Sequence, residues 1–229
     1  MFTSVIIPAA GTGERMGGTV RKQFLSLNGK PIIIHTLERF QACAAVDEIL
    51  IAIQPSERLQ MESLVRDFRL SKVSRVVDGG RRRQDSVSNA LEHVRGEADI
   101  VVVHDGVRPF IRQKIILASI EKARVHSAAV VAVRVKDTIK IGNHEGQFER
   151  TLDRSELWAA QTPQAFAKDL LRRAYEKAAR EEVEATDDSS LVELLNVKPS
   201  IVEGSFENIK ITTPDDLEFA GVLARNFVD

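Results

Sequence analysis

Two groups of residues near the start of the chain have the types and spacing needed to bind a phosphate chain. The first is a run of small residues, Pro8-Ala9-Ala10-Gly11-Thr12-Gly13, directly after the apolar residues 5–7. Small residues at such a junction let backbone amides approach a phosphate without interference from a Cβ. The second is a pair of cations, Arg15 and Lys22, in the segment that follows. Two cations beside a phosphate site can neutralise the charge that develops on a transferring phosphoryl group.

The spacing excludes two well-known phosphate-binding loops. A dinucleotide-binding loop needs G-x-G-x-x-G, and Met16 stands at the position of its third glycine. That fold also needs an acid near the end of the second strand, where this chain has Gln54-Pro55. A Walker A loop needs G-K-[ST], and Lys22 is followed by Gln23. What remains is a phosphate-binding loop of another kind, with a plain flexible turn as the alternative.

A second candidate site follows the apolar run at residues 100–103. There the chain reads His104-Asp105-Gly106-Val107-Arg108. An aspartate at the carboxyl end of a strand can hold Mg²⁺, which prefers one or two carboxylates together with substrate phosphates. Arg108 can face an anion from the adjoining loop. The pattern therefore predicts a divalent-cation ligand at Asp105, with a helix or turn cap as the alternative role.

These residues have to be positioned by secondary structure, and the hydrophobic pattern predicts alternating strands and helices. Continuous apolar runs, typical of parallel strands covered on both faces, predict strands at residues 5–7, 49–53, 73–77, 100–103, 128–135 and 200–202. Apolar residues at helical spacing predict helices within 33–40, 61–68, 116–123, 167–182 and 187–195, and a last helix that starts at Pro214. This alternation is typical of an α/β fold with a doubly wound, mostly parallel sheet, which binds ligands at the carboxyl ends of its strands.

The segment 136–157 breaks this alternation. It contains two turn signals, Gly142-Asn143 and Glu145-Gly146, between short polar stretches with the character of strands. We interpret it as a β-arm that protrudes from a single domain spanning residues 1–229. An arm of this kind would be exposed on its own, so we expect it to contact a second subunit. An ordinary solvent-exposed loop is the alternative.

Composition narrows the class of protein further. The 229 residues carry 32 Lys and Arg against 33 Asp and Glu, and 43% are hydrophobic. This is globular composition, which excludes an intrinsically disordered chain, and the lack of an overall positive field argues against a nucleic-acid partner. The longest clear apolar run falls far short of the roughly 20 residues of a membrane helix. The single cysteine, Cys43, excludes a disulfide framework and is typical of a cytoplasmic protein.

Several ordered motifs resemble those of one enzyme family. Residues 9–24 resemble A-A-G-x-G-x-R-M-G followed by P-K-Q-[FY], the signature of α/β nucleotidyltransferases, except that Arg21 replaces the proline. Residues 104–109 resemble the H-D-A-A-R-P of cytidylyltransferases, with Gly106-Val107 at the middle positions. The other matches are G-G-x-x-R-x-x-S-V at 79–87, D-R-x-x-L-W-x-x-x-T-P-Q-x-F at 153–166, T-D-D at 186–188 and N-I-K-[IV]-T at 208–212. We expect the T-D-D motif to form a helix N-cap. Together they resemble the 2-C-methyl-D-erythritol 4-phosphate cytidylyltransferase family.

The resemblance implies a reaction and a set of site residues. CTP and methylerythritol phosphate, a small phosphorylated alcohol, would give CDP-methylerythritol and pyrophosphate on a Rossmann-like nucleotidyltransferase fold. Arg15 and Lys22 would stabilise the transition state, and Arg154 and Lys210 would position the acceptor phosphate. Nucleotide contacts are implied for Pro8, Ala9, Ala10, Gly11, Gly13, Gly80, Ser86 and Asp105, acceptor contacts for Arg108, Thr138 and Thr162, and the Mg²⁺ contact for Asp105. The arm residues would reach the site of the partner subunit in a homodimer.

Two other functions remain open from the sequence. A ribitol-5-phosphate cytidylyltransferase shares the glycine-rich loop and the H-D-x-x-R-P motif, and a non-catalytic nucleotide-binding regulator could use the same fold. The regulator interpretation predicts loss of Arg15, Lys22 or Asp105, and all three are present. The role of Arg81-Arg82-Arg83 is also open, because a solvated helix start would explain this run equally well. The five histidines are scattered, and we expect His104, which adjoins a motif, to have a structural role.

Overall fold

Strands and helices alternate along most of the chain in the computed structural model, which describes residues 1–11, 13 and 21–227. The strands are β1 (Phe2–Pro8), β2 (Ser26–Leu27), β3 (Lys30–Pro31), β4 (Glu48–Ile53), β5 (Val73–Asp78), β6 (Ala98–Val103), β7 (Ala128–Arg134), β8 (Lys140–Gly142), β9 (Phe148–Thr151), β10 (Trp158–Ala167) and β11 (Ser200–Glu203). The α-helices are α1 (Ile32–Ala42), α2 (Arg58–Asp67), α3 (Arg83–Leu91), α4 (Gln113–His126), α5 (Lys168–Arg180), α6 (Asp188–Glu193) and α7 (Pro214–Asn226). Short 3₁₀ helices cover Lys22–Phe24, Pro55–Glu57 and Arg154–Glu156. The strands and helices predicted from the hydrophobic pattern are therefore confirmed, although their ends shift by a few residues.

Seven of these strands form one sheet in the order β11-β7-β10-β6-β1-β4-β5. β1 pairs in parallel with β4 on one side and with β6 on the other. β5 continues the parallel pairing beyond β4, and β11 pairs in parallel with β7. The chain therefore reverses its winding direction at β1, which makes the carboxyl ends of β1 and β6 a topological switch point. The predicted α/β fold with a doubly wound, mostly parallel sheet is confirmed.

The hydrophobic pattern does not predict β10, which runs antiparallel to both of its neighbours, β6 and β7. Its pairing with β7 is irregular between Ala160 and Gln164, and the Thr162–Pro163 peptide bond in this stretch is cis. Proline lacks the amide hydrogen that a central strand needs, so a proline inside a segment argues against a strand there. The polar residues that interrupt the strand pattern of β10 in the sequence also line the candidate site described below.

Helices pack on both faces of the sheet. Adjacent residues of β1 point to opposite faces: Ile7 belongs to the core under α1, α2 and α4, and Ile6 to the core under α3, α5 and α6. α7 closes a third, smaller cluster that includes Leu27 and Phe110. Fully burying a large aliphatic side chain contributes about 1.5–3 kcal/mol. Coverage on both sides explains why the central strands are continuous apolar runs.

Helix starts near the end of the chain follow the predicted chemistry. Pro214 opens α7, and the Thr213 side chain accepts a hydrogen bond from the Asp216 amide at 3.3 Å. Asp187 caps α6 by accepting a hydrogen bond from the Ser190 amide at 3.0 Å, as expected for the T-D-D motif. Within the described ranges, no helix is both long enough and apolar enough to cross a membrane.

The segment between β7 and β10 forms an antiparallel hairpin of β8 and β9. Its turn is organised by Asn143, whose side-chain oxygen accepts hydrogen bonds from the backbone amides of Glu145 and Gln147 at 3.1 and 2.9 Å. All four residues of β9 are exposed, and the Phe148 side chain is among them, with an exposed fraction of 77%. The hairpin therefore extends away from the sheet with an aromatic side chain in solvent.

Candidate active site

Two adjoining pockets open at the carboxyl ends of β1 and β6. The first, which we call the loop pocket, is lined by Pro8, Ala9, Ala10, Gly11, Lys22, Gln23, Gly80, Arg81, Arg82, Arg83, Ser86, Asp105, Val107 and Lys210. The second, which we call the β10 pocket, is lined by Arg83, Asp105, Arg108, Ala160, Gln161, Thr162, Gln164, Thr186, Asp187 and Lys210. Arg83, Asp105 and Lys210 belong to both. The predicted nucleotide residues thus gather largely in the loop pocket, and the predicted acceptor residues Arg108 and Thr162 lie in the other.

Hydrogen bonds from two glutamines fix the backbone of the small-residue run after β1. Gln23 Nε2 donates to the Ala9 carbonyl at 2.8 Å, and Gln54 Nε2 donates to the Ala10 carbonyl at 2.7 Å. In a trans peptide the N–H points opposite to the C=O, so the amides of Ala10 and Gly11 point away from these glutamines. The Ala9 amide donates to a carbonyl of β4 at 2.8 Å. Ala10 and Gly11, rather than Ala9, therefore offer the amides that a phosphate can bind.

Two glycines allow close packing around this loop. A Cβ on Gly79 would lie 2.2 Å from the Ala10 Cβ, so any larger residue there would displace the loop. Gly13 has a φ of +72°, which other residues rarely adopt, and a Cβ on it would lie 3.4 Å from the Lys22 Cγ. Lys22 consequently packs against the loop whose phosphate it is predicted to neutralise.

The carboxylate of Asp105 contacts three cations from different parts of the chain. Its Oδ1 lies 2.9 Å from Arg83 Nε, and its Oδ2 lies 2.9 Å from Lys210 Nζ and 3.4 Å from Arg108 Nε. Burial alone would raise the pKa of this carboxyl, but the three cations outweigh burial and hold the pKa well below its ordinary range. Asp105 is therefore ionised, and it gathers positive charge on the wall that the two pockets share.

Arg83 connects Asp105 to a second buried acid. Its Nη1 lies 2.8 Å from Oδ2 of Asp188, whose side chain is fully buried. The other oxygen of Asp188 accepts a hydrogen bond from the Tyr175 hydroxyl at 2.6 Å. Burial alone would lower the pKa of Arg83, but its two acidic partners raise the pKa above its ordinary value. The guanidinium is thus charged and held from both sides.

Residues 79–87 divide between the pocket wall and a helix start. The Ser86 hydroxyl is buried, where it accepts a hydrogen bond from the Gly80 amide at 3.0 Å and donates to the Arg82 carbonyl at 3.1 Å. The Arg82 side chain is exposed and pairs with Asp85, in the first turn of α3, at 2.7 Å. The solvated-helix-start interpretation is therefore correct for Arg82 and wrong for Arg83.

Thr162 on β10 holds the loop that carries Asp105. Its hydroxyl accepts a hydrogen bond from the Asp105 amide at 3.1 Å and lies 3.1 Å from Nδ1 of His104. Nε2 of His104 lies 3.1 Å from the Arg108 carbonyl. Burial lowers the pKa of His104 to about 4, so the imidazole is neutral at pH 7. One neutral tautomer satisfies every contact, with Nε2 donating to Arg108 and Nδ1 accepting from Thr162. His104 has the structural role that we expected.

The segment 208–212 closes the site next to β10. Asn208 is buried, and its side-chain Nδ2 donates a hydrogen bond to the Thr162 backbone carbonyl at 2.8 Å. Its backbone carbonyl accepts a hydrogen bond from Arg108 Nη1 at 2.7 Å. These bonds fix the chain just before Lys210. They explain why this flexible cation reaches Asp105.

The departures from the family motifs leave the local structure intact. Arg21 has φ −62° and ψ 135°, and because this φ lies within the range that proline imposes, the backbone at this position has a conformation that proline could also adopt. Gly106 lies where a Cβ would come within 3.2 Å of Ala9, and Val107 lines the loop pocket. The glycine therefore suits a tight approach of two loops.

Three predicted site residues among the described ones, Gly13, Thr138 and Arg154, line neither pocket, and one more lies outside the described residues. Arg154 and Thr138 are exposed at either end of the hairpin segment, and Arg154 Nη1 donates to the Lys136 carbonyl at 2.7 Å. Arg15 falls in the stretch that the structure does not describe. That arm residues act in a partner subunit's site stays a prediction.

The surroundings of Asp105 set conditions on a Mg²⁺ site. Among the described residues, no group of three His, Cys, Asp or Glu side chains could hold a metal ion. A Mg²⁺ that takes most ligands from substrate phosphates needs only one carboxylate. Lys210 is 38% exposed, which lets it leave the Asp105 oxygen that it occupies. The residues therefore fit Mg²⁺ as a site shared with a bound triphosphate, and they do not form a metal site from protein groups alone.

Sequence reasoning missed several residues that shape the site. Gln23 and Gly79 stand inside motifs that predict no separate role for them, and for Asp188 the T-D-D motif predicts only a place at a helix N-cap. Their position inside a motif is the signal that these three share, and the side chains of Gln23 and Asp188 are in addition polar and buried. Glu57, which contacts Gln23 at 3.2 Å, stands in no motif.

A doubly wound sheet, a small-residue loop at its switch point and a cluster of cations around one acid define an α/β nucleotidyltransferase. The family model described as 2-C-methyl-D-erythritol 4-phosphate cytidylyltransferase matches residues 3–226. The chain belongs to this family.

Individual relatives cover nearly the whole chain. An enzyme of that name from Geobacillus kaustophilus (strain HTA426) is 47% identical over 231 residues, covering 100% of both chains. One from Syntrophus aciditrophicus (strain SB) is 44% identical, covering 97% of this chain and 94% of the relative. A solved structure from Anaerococcus prevotii, described as 4-diphosphocytidyl-2C-methyl-D-erythritol synthase, aligns with a TM-score of 0.88 at 31% identity, covering 98% of this chain and 96% of the other. The cytidylyltransferase structure from Thermus thermophilus aligns with a TM-score of 0.81 at 34% identity, covering 98% of this chain and 100% of the other.

The buried imidazole of His104 predicts a pH dependence of stability. Its pKa is about 4 in the folded chain and ordinarily 6.5, so the unfolded chain binds more protons between these values. Stability is therefore full above about pH 6.5 and falls as the pH drops toward 4, with a loss of about 3 kcal/mol from this group.

Urea unfolding in EDTA between pH 7 and pH 4 measures this loss. Between pH 7 and pH 4, we expect the free energy of unfolding of His104→Gln to fall by about 3 kcal/mol less than that of the unaltered protein. His126→Gln, which changes an exposed histidine at the end of α4, is the matched control and should keep the original slope. Equal slopes for all three proteins would contradict the assignment of His104 as a buried neutral group.

Proposed function

We propose that this chain catalyses the reaction of its family, the transfer of the cytidylyl group of CTP to 2-C-methyl-D-erythritol 4-phosphate. The products are CDP-methylerythritol and pyrophosphate, in the non-mevalonate route to isoprenoid precursors. The match of the family over residues 3–226 is the observation that carries this proposal. Members of the family are nucleotidyltransferases of class EC 2.7.7.60. The comparisons do not favour the ribitol-5-phosphate enzyme or the non-catalytic regulator.

The reaction joins two anions. An oxygen of the acceptor phosphate forms a bond to the α-phosphorus of CTP, and the bond from that phosphorus to the leaving pyrophosphate breaks. Because the nucleophile is already an ionised oxygen, no general base is required. The work of the protein is to bring the anions together and to neutralise their repulsion.

The loop pocket suits the triphosphate of CTP. The amides of Ala10 and Gly11 are free of the sheet and point away from the glutamines that hold this loop. Lys22 lines the same pocket, and the family motif assigns Arg15 the same role of stabilising the transition state. Amides and cations together form the kind of site that binds a phosphate chain and stabilises charge during transfer.

The far wall of the loop pocket suits the nucleoside. Gly80 and Ser86 line it where the base would lie, and Asp105 stands where it can contact the ribose. Nη2 of Arg83 is buried and, within the described part of the chain, makes no hydrogen bond. A substrate oxygen could satisfy this donor, since buried polar groups are nearly always paired.

The β10 pocket suits the acceptor phosphate. Arg108 and Lys210 supply positive charge to it, and Thr162 lines its wall. Both cations are held by Asp105, the carboxylate on the wall shared with the loop pocket. The acceptor phosphate and the α-phosphate of CTP would therefore meet across a single cluster of charge.

We also propose Mg²⁺ as the cofactor. When bound, Mg²⁺ would neutralise part of the charge of the triphosphate. Asp105 is the residue that would hold it, and the phosphates of CTP would provide further oxygen ligands. Lys210 would then be released toward the acceptor phosphate.

We propose, finally, a homodimer in which the arm at 136–157 completes the partner's site. Thr138 and Arg154 are exposed and line neither pocket of their own chain, although the family resemblance assigns them to the acceptor. Phe148 stands on the same hairpin with most of its ring in solvent. Contact of the arm with a second subunit would cover this ring.

The acceptor preference tests the function directly. We expect pyrophosphate release from CTP with 2-C-methyl-D-erythritol 4-phosphate and little or none with ribitol 5-phosphate, because the family match extends over the acceptor motifs as well as the loop. The measurement is a coupled pyrophosphate assay with each acceptor in turn at equal concentration. Faster turnover with ribitol 5-phosphate would replace the proposed acceptor, and binding of CTP without turnover would favour the regulator.

Complementation between subunits tests the arm. Lys22→Ala and Arg154→Ala should each cause a large loss of activity at low acceptor concentration. If Arg154 acts in the partner's site, a mixed dimer of the two variants has one site with both changes and one site with neither. We then expect about half of the unaltered activity in mixed dimers purified through two different tags. Each variant alone is the control, and a mixed dimer as inactive as its parents would contradict the arm proposal.

A further inference from the structure

A buried glutamate lies next to Lys22 and outside every motif. Glu57 ends the short 3₁₀ helix that follows β4, and its side chain is only 11% exposed. It does not line either pocket. Burial of a carboxylate is costly unless partners compensate, so its contacts point to a specific role.

The partners of Glu57 are the two residues that flank Lys22. Its Oε1 lies 3.1 Å from Nε of Arg21, and its Oε2 accepts a hydrogen bond from Nε2 of Gln23 at 3.2 Å. The same amide of Gln23 donates to the Ala9 carbonyl at 2.8 Å. We call these three residues, Arg21, Gln23 and Glu57, the clamp.

The clamp fixes the backbone on both sides of Lys22. Gln23 is 1% exposed, so its two hydrogen bonds hold the chain against the end of β1 in a site that water hardly enters. Arg21 is anchored on the other side of Lys22, where its side chain is 38% exposed. Fixing the backbone at Lys22 before the nucleotide binds removes the backbone part of the entropy that would otherwise be lost when this lysine is ordered on a phosphate.

We propose that Glu57 is a positioning residue, which acts through Arg21 and Gln23 to aim Lys22 at the phosphate chain of the nucleotide. This inference rests on the proposed role of Lys22 in binding CTP. Glu57 touches neither substrate, so its effect has to pass through Lys22 and should disappear when Lys22 is removed.

Calorimetric titration with CTP and Mg²⁺, without acceptor, tests the proposal on the full chain. Glu57→Gln keeps the shape of the side chain and removes the charge that Arg21 contacts. We expect it to weaken CTP binding on the order of tenfold, which is the size of the affinity loss when one contact to a bound ligand is removed. Arg21→Gln breaks the same ion pair from its more exposed partner, and we expect a similar loss if Glu57→Gln proves too unstable to measure.

The decisive measurement is a double-mutant cycle. In a Lys22→Ala background, Glu57→Gln should change CTP binding less than about twofold. The matched control is Glu121→Gln, which breaks an exposed Arg124–Glu121 ion pair on α4 and should leave CTP binding unchanged. Melting temperatures of the same proteins separate a loss of fold from a loss of positioning.

The outcomes separate this inference from the proposed function. If Lys22→Ala binds CTP normally, the role of Lys22 in the proposed function is wrong, and the clamp falls with it. If Lys22→Ala binds poorly while Glu57→Gln and Arg21→Gln bind normally, only the clamp is wrong. An equal loss from Glu57→Gln with and without Lys22 would also overturn the clamp, because Glu57 would then act independently of the lysine.

Discussion

The contact of one buried carboxylate with three cations is the interaction on which the site depends. Asp105 meets Arg83 from the start of α3, Arg108 from the loop after β6, and Lys210 from the segment before α7. Without this acid, three like charges would crowd the same wall, and their repulsion would spread the elements that carry them. The acid therefore lets the fold concentrate positive charge where two anionic substrates have to meet.

Other buried polar residues keep that carboxylate in place. Thr162 and His104 hold its backbone, and the neutral imidazole does so without adding a further charge. Asp188 holds Arg83 from the opposite side and links the site to the core under α5. The overall formal charge of −1 thus conceals a local excess of cations that suits a triphosphate and a phosphorylated alcohol.

Much of this arrangement could be predicted from the sequence, because parallel strands covered on both faces are continuous apolar runs. β10 could not, since Gln161, Thr162 and Pro163 interrupt its apolar residues, and only the completed sheet shows why a central strand tolerates them. The orientation of charged side chains was harder still to predict. Within the run 81–83 only the motif match singles out Arg83, and nothing in the run shows what holds that side chain inward, because this depends on Asp105 and Asp188, far away in sequence.

The stability of the metal-free protein with Asp105→Asn tests the central role of this carboxylate most directly. If Asp105 holds the three cations together, the free energy of unfolding in EDTA should fall by about 3–5 kcal/mol, because two partly buried arginines lose their common partner. Transfer activity should fall with it. Unchanged stability together with lost activity would contradict the account, since Asp105 would then serve only as a ligand for metal or substrate.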